Sequence, residues 1–253
     1  MLYSRDYLAT IIIERLESEK EAIVQHYQDS MRTIGHFAID NLLPEDIAKT
    51  IYQKFPKVQQ THLKKSLREF KHVAAQMDNY DKQLEEAIFA FQDKRIINFF
   101  KELSGIESLS PDASLYAGGI SMMGEAHFLN PHIDNSHDKD RELWRVFNLL
   151  FYVTPDWKES NGGNLELWPN GIDKEPLTIH SKFNRLVVMA THNGSWHSVS
   201  KVEVDAIRCC VSNYYFSENP LLVSDSFHVT SFRGRPEQKV RNVILKVLSL
   251  IHI

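Results

Sequence analysis

The hydrophobic rhythm of the chain changes once. From Arg5 to about Ser30 the residues Leu8, Ile12, Leu16, Ile23 and Tyr27 recur near a helical period with charges between them, which predicts one amphipathic helix. "GHFAIDNLL" reads as a short strand. Pro44 then opens "PEDIAKTIYQKF", where proline followed by two acids marks a helix start and Phe55-Pro56 its end. Residues 62 to 76 and 82 to 104 continue in the same helical manner, with "KQLEEAIFAFQ" and "KRIINFFKEL" carrying the pattern and Gly105 supplying a stop.

Beyond Gly105 the period falls to two, or disappears into continuous β-branched and aromatic runs between turn residues. "VFNLLFYV", "GNLELW", "LTIH", "RLVVMA", "HSVSKV" and "IRCCVSNYYF" each predict a strand. Short strands at this spacing predict an α+β fold whose core is a jelly roll, a double-stranded β-helix, packed against the earlier helices. The final stretch "PEQKVRNVILKVLSLIHI" fits helix or strand equally. No internal repeat or low-complexity segment interrupts the chain.

Composition narrows the class. With 253 residues and 43% apolar content the chain can bury a core, either as one large domain or as a domain with an extension. A net charge of −4 gives no reason to expect nucleic-acid or membrane partners. Cys209 and Cys210 are the only cysteines and are adjacent, a spacing unsuited to a secreted disulfide scaffold, so a reducing, cytoplasmic setting is expected and the pair is read as strand packing. Arg5, Asp6, Glu14 and Arg15 interrupt the first apolar patch, which predicts neither a signal peptide nor a membrane span.

Chemistry concentrates in "NPHIDNSHD", residues 130 to 138. His-x-Asp alone is close to chance in a chain of this composition, but in an extended segment His132 and Asp134 project to one side while Ile133 points to the other. A third ligand is available in His197 of "SWHSVS". Two histidines and a carboxylate on one face of a metal form the facial triad of non-haem Fe(II) oxygenases. Arg208 follows in "IRCCVSNYYF", sharing a strand face with Cys210, Ser212 and Tyr214. An arginine among apolar neighbours needs an anionic partner, and a dicarboxylate pairs with it bidentately.

Together, His132-Ile133-Asp134, His197 and Arg208 resemble the signature of the Fe(II)/2-oxoglutarate-dependent dioxygenases, in their prolyl 4-hydroxylase-like branch. "LLFYVTPDWKESNGGNLELWP", "KFNRLVVM" and "FAIDNLLPEDIAKTIYQKFP" resemble further segments of that branch, covering about His36 to Pro220. The resemblance implies a division into residues 1–33, a helical extension, and 34–253, the dioxygenase domain. Within the domain it implies helical support over 44–105, a jelly-roll core over about 113–217 and a C-terminal segment over 218–253. It also implies that His132, Asp134 and His197 bind Fe(II), that Arg208 and Tyr152 hold the distal carboxylate of 2-oxoglutarate, and that Asn148, on the same strand face as Tyr152, contacts cosubstrate or substrate.

The implied reaction consumes O2 and 2-oxoglutarate, hydroxylates a C–H bond and releases succinate and CO2, with ascorbate as a candidate reductant. Where many relatives carry a tyrosine ten residues before the first iron histidine, this chain has Met122, with Tyr116 six residues earlier. The substrate side is assigned to Met122, Trp144, Tyr214, Arg233 and Arg235, the two arginines alternatively reading as a solvated basic loop. Arg145 and Trp168 are further residues for the approach, or else core. His137 and Asp138 read as mouth loop, His192 as an exposed turn, and His127 and His180 as structural. Substrates compatible with the branch are a prolyl residue of a peptide or protein, a free amino acid, a small metabolite or a carbohydrate-linked group; a jelly-roll protein that binds a ligand without oxidising it is the reading from another class. The N-terminal helices are expected to serve as a lid or a homodimer interface.

Overall fold

In the computed structural model, which describes residues 2–251, the N-terminal stretch forms α1 (Arg5–Ser18) and α2 (Lys20–Ser30) rather than one helix. Glu19 leaves the helical region between them, at φ −113° and ψ 11°. The break lets α1 pack on later helices while α2 lies against β1 (His36–Asp40). Met1 and the last two residues of the expected C-terminal segment lie outside the described residues. α3 (Glu45–Gln53) starts behind Pro44 as its acids predict.

The next expected helix does not form. Residues 62 to 76 instead contain a hairpin, β2 (His62–Lys65) and β3 (Glu69–Ala74), so the expected helical support over 44–105 is interrupted by sheet. Leu63, Leu67, Phe70 and Ala74 do carry a helical spacing. What overrides it is non-local: β3 finds ladder partners in both β5 (Gly119–Met123) and β6 (Phe128–Ile133), satisfying backbone groups that a helix at this place would leave facing two open strand edges. Leu63 and Leu67 end up exposed. The stretch 82 to 104 divides into α4 (Lys82–Ala90) and α5 (Lys94–Ser104), because the Asp93 carboxylate accepts the Arg95 N–H at 2.8 Å and caps a new helix. α5 ends at Gly105, whose φ of +74° is the left-handed conformation that glycine adopts without strain.

β4 (Ser110–Pro111), β7 (Trp144–Tyr152), β8 (Leu165–Leu167), β9 (Leu177–Ile179), β10 (Arg185–Ala190), β11 (His197–Val199), β12 (Arg208–Ser217) and β13 (Ser231–Phe232) complete a curled antiparallel sheet. Its order is β1-β10-β7-β12-β5-β3-β6-β11-β8-β9, with β2 on β3, β4 on β12 and β13 on β6. The larger wall runs from β1 to β5 and the smaller from β6 to β9; β3 joins them. The final stretch, undecided from its pattern, contains a helix, α6 (Lys239–Ile251).

The larger wall is buried on both faces, which is why its strands read as unbroken apolar runs. On one side Phe147, Leu149, Phe151, Leu186, Val188, Val211 and Tyr215 merge with Leu8, Ile12, Leu16, Ile23 and Tyr27 into a single core. Phe100 stands at its centre, against Phe37, Phe99, Phe147 and Tyr215. The apolar stripe of α1 and α2 is therefore covered within the chain, and a dimer formed through these helices would have to use their polar outer faces. Among the described residues no helix is long and apolar enough to cross a membrane.

Candidate metal centre

The other side of the larger wall faces a cavity of about 420 Å³. Along β7 the residues Asn148, Leu150 and Tyr152 point into it; along β12 so do Arg208, Ser212 and Tyr214, in the period-two order expected. Opposite them stand β6 and β11, where strand register pairs His132 directly with His197. Their rings are 4.1 Å apart, and Asp134, just beyond the end of β6, completes the group. The ligand atoms of His132, Asp134 and His197 all lie within 4.8 Å of one another, and among the described residues no other set of His, Cys, Asp and Glu converges so. His132 Nε2 is 3.5 Å from Asp134 Oδ1, and His197 Nε2 is 3.9 Å from Oδ2.

The protonation states suit a cation. His132 Nδ1 lies 3.0 Å from the Asn130 carbonyl and His197 Nδ1 lies 2.9 Å from the Ser195 carbonyl. A carbonyl only accepts, so each Nδ1 carries a proton and each Nε2 is the ring atom left to face the space beside Asp134. Burial, then the neighbouring His132, pushes His197 down to about 4 and keeps it neutral. Burial, the largest single influence, would raise Asp134, but Arg145 and the two histidines together outweigh it and hold the carboxyl well below its ordinary value. Arg145 Nη1 is 3.1 Å from Asp134 Oδ2, close enough for an ion pair but not aligned for a hydrogen bond, so that oxygen stays without a donor. The guanidinium also donates to Asn135 Oδ1 at 2.8 Å and stacks over the Tyr214 ring. Arg145 thus fixes the carboxylate from behind.

Deeper in the cavity the second signature residue stands unneutralised. Arg208 is buried, 3% exposed, donates from Nη1 to the Gly163 carbonyl at 3.0 Å, leaves Nε without a partner and forms no ion pair among the described residues. A buried guanidinium without a counter-anion is costly unless a ligand supplies one. Its guanidinium lies 5.2 Å from the Tyr152 ring centroid, and Tyr152 Oη and Asn148 Oδ1 are likewise buried without partners. Burial raises the Tyr152 phenol well above its ordinary value, so it remains a donor at neutral pH. The donor set therefore fits one metal ion beside one carboxylate-bearing ligand. Gly163 is needed for this approach: its φ is +66°, and a Cβ there would stand 3.1 Å from Arg208 Cδ.

The substrate-side expectations divide. Tyr214 lines the cavity, as does Tyr116, held at the mouth because the Asp112 carboxylate accepts the backbone N–H groups of Tyr116, Ala117 and Gly118. Met122 does not: alternation along β5 turns it into the helix-facing core, and Ser121 and Met123 line the cavity instead. Trp144 belongs to a neighbouring crevice, packed on the His137 ring at 4.1 Å. Arg235 is no receptor for substrate, since its guanidinium pairs with Glu166 at 2.7 Å and donates to the Val199 carbonyl. Arg233 lies over Trp196 and lines a separate cavity with Phe227, His228 and Lys246.

Segment 228–236 is thus no solvated loop; Ser231 and Phe232 pair with Ile133 and His132, and the Phe232 ring stacks on His132. Trp168 donates to Ser198 Oγ behind His197 rather than lining the approach. His192 is buried, not exposed, and outside the metal group. His127 stacks on Phe70 and His180 bonds the Trp157 carbonyl, both structural as expected. The buried, unpaired cysteines pack within the strand as expected. The residues that sequence pattern missed are His62, Lys64 and Lys71, brought to the mouth by the hairpin; "HLKK" and "KHV" alternate at period two, a weak signal masked by the helical spacing of the leucines.

Residues 118–216 match the family model described as the 2OG-Fe(II) oxygenase superfamily, a stretch that contains His132, Asp134, Asn148, Tyr152, His197 and Arg208. A prolyl-4-hydroxylase from Pseudomonas putida superposes with a TM-score of 0.56 at 14% identity, over 78% of this chain and 99% of that one. A prolyl 4-hydroxylase from Phytophthora capsici gives 0.58 at 18% identity, over 81% of this chain and 65% of that one. The non-heme alpha-ketoglutarate-dependent carbocyclase SnoK, from nogalamycin biosynthesis, gives 0.57 at 14% identity, over 85% and 86%. At these identities the superpositions establish the fold. No curated protein matches the chain. The family pattern supports the resemblance to 2OG-Fe(II) oxygenases read from the sequence, and the superpositions show the shared fold.

Proposed function

We propose that the protein is an Fe(II)- and 2-oxoglutarate-dependent hydroxylase whose substrate is a prolyl residue of a peptide or protein. The observation that carries this reading is the convergence of His132, Asp134 and His197 on one wall of a cavity whose other wall holds a buried, unneutralised Arg208. Iron bound there would supply the activation of O2 coupled to oxidative decarboxylation of 2-oxoglutarate to succinate and CO2. The chain's part is orientation. Backbone carbonyls occupy the Nδ1–H groups of His132 and His197, leaving their Nε2 atoms to face a cation, and Asp134 stays ionised because Arg145 and the two histidines face it. Arg208 receives the distal carboxylate of the cosubstrate, with Tyr152 Oη donating to the same group and Asn148 in reach of the adjoining space. Burial of these groups excludes water from the reacting centre.

Anaerobic addition of Fe(II) and 2-oxoglutarate to the protein is expected to give a visible charge-transfer band, followed under O2 by succinate release. Absence of both would defeat the proposal and leave a ligand-binding jelly roll. A second reading, oxidation of a free amino acid, a small metabolite or a carbohydrate-linked group, is supported by Met122: the position where prolyl hydroxylase relatives carry a tyrosine faces the core here. A screen of prolyl peptides and small metabolites for succinate release with product mass gain separates the two.

A further inference from the structure

The hairpin that covers the site carries an arrangement of charge that folding does not account for. Register sets Lys64 directly opposite Lys71 and His62 opposite Val73, and all of these side chains line the cavity that holds His132, Asp134 and His197. Like charges directly opposite on a strand pair destabilise it. One acid, Glu69, stands on this face: it pairs with Lys71 at 3.0 Å and lies near enough to feel Lys64, which itself forms no ion pair among the described residues, so two lysines share a single carboxylate. The opposite face of the same hairpin is built for packing, with Lys65 over the Phe70 ring and Phe70 and His72 stacked on His127.

The hairpin is anchored, too: Phe70 and Glu69 pair with β6 and Val73 with β5, so its lysines are held over the site. The hairpin turn adds Arg68, which with Lys139 and Arg141, against one acid, Asp138, lines a groove that shares Tyr116 with the mouth. Asp134 is the one carboxylate of the cavity lining, and Arg145 already faces it. This cationic rim sits on a chain whose net charge is −4, so it is not a reflection of overall composition.

We propose that the molecule oxidised in this cavity is anionic and that Lys64 and Lys71 receive its carboxylate or phosphate at the mouth. This rests on the cavity being the site of reaction, and it names the chemistry of the substrate rather than of the cosubstrate, which Arg208 receives at depth. Lysine suits the task because a rotatable ammonium on a strand can follow an anion whose position varies with the substrate.

Calorimetric titration tests it on the full-length chain with saturating 2-oxoglutarate present, so that Arg208 is engaged. The probes are an acetylated peptide with glutamate on both sides of a single proline, its glutamine counterpart, free aspartate and free phosphoserine. The peptide arm and the free-acid arms distinguish the sources of the anion. At least one acidic probe is expected to bind about tenfold more tightly than the glutamine peptide, with a preference that shrinks as salt rises. The double substitution Lys64→Gln, Lys71→Gln should abolish that preference, each single substitution should reduce it, and Lys65→Gln, the same loss of one charge as either single but on the other face, should retain it. Equal affinity for acidic and neutral probes, no binding by any acidic probe, or the same loss in Lys65→Gln overturns the proposal. The charge-transfer band is an independent arm: a band without anion preference defeats this inference alone, and an absent band defeats the hydroxylase reading instead.

Discussion

The two faces of β7 and β12 are made from alternate residues of the same strands, yet they end in opposite physical states. On the helix side Phe147, Leu149, Phe151, Val211 and Tyr215 close against apolar partners, and the Tyr215 hydroxyl bonds the Phe91 carbonyl. On the cavity side Asn148, Tyr152 and Arg208 are as deeply buried, but each keeps a polar atom without a partner, as does Asp134 across the cavity. Buried polar groups in folded proteins are nearly always satisfied. The helix side has orphaned atoms too, Asn213 Oδ1 and Tyr27 Oη, but amid apolar packing that provides stability; the cavity side gathers its orphaned groups around one open space that a ligand could enter.

Substitutions should separate the two. The largest expected effect is on the cavity side: Asp134→Ala or His197→Ala should reduce succinate release by about 100-fold or more, at least the loss expected when a group that merely orients a metal ligand is removed. The thermal transition of the ligand-free protein should persist in both, and full activity in either would refute the ligand assignment. Next comes the helix side, where Phe100→Ala should cost about 3–5 kcal/mol in denaturant unfolding because the cavity left among Phe37, Phe147 and Tyr215 cannot collapse. Metal binding per folded molecule should not change.

Arg208→Met sharpens the contrast, since it removes an unpaired buried charge while keeping an unbranched side chain. It should weaken 2-oxoglutarate binding about tenfold or more yet raise the stability of the ligand-free chain by about 1 kcal/mol; a lower melting temperature would mean that the guanidinium is structural. The smallest effect belongs to neither face. Asp40 is lowered to about 2 by hydrogen bonds from Arg185, with Lys182 contributing. Its folded value lies below the ordinary 3.8, so its contribution is complete above about pH 4 and is lost as pH falls toward 2. Asp40→Asn should flatten the melting temperature over that window, by less than about 1 kcal/mol of stability because the pair is partly exposed.

Much of this was legible in the residues. The candidate metal group could be read because a β-strand's period of two is fixed by its backbone, so His132 and Asp134 had to share a side, and Arg208 and Tyr214 likewise. The start of α3 and the end of α5 were visible because their signals, Pro44 with two acids and Gly105, act within a single turn, whereas the Asp93 cap that begins α5 was not read. Local rules failed where the deciding partner was distant. Met122 and Met123 are chemically alike, and only the pairing of β5 with β12 and β3 determines which one faces the cavity. Arg235 looked available until folding brought Glu166 to it, and Arg145 gained its place behind Asp134 only when β7 lay across from the end of β6.

The hairpin of β2 and β3 marks the limit most clearly. Its sequence spaces leucines as a helix would, and no residue within it reports that β5 and β6 will present open edges on both sides. By itself the sequence picked out His132, Asp134 and His197 as a group able to converge and pointed to the jelly-roll class, since strand period fixes which side chains share a face; the cosubstrate roles of Arg208 and Tyr152 came from the family resemblance. The tertiary structure alone decided what stands at the mouth of the site, because strand pairing satisfies backbone groups across long sequence separations and overrides weak local preference.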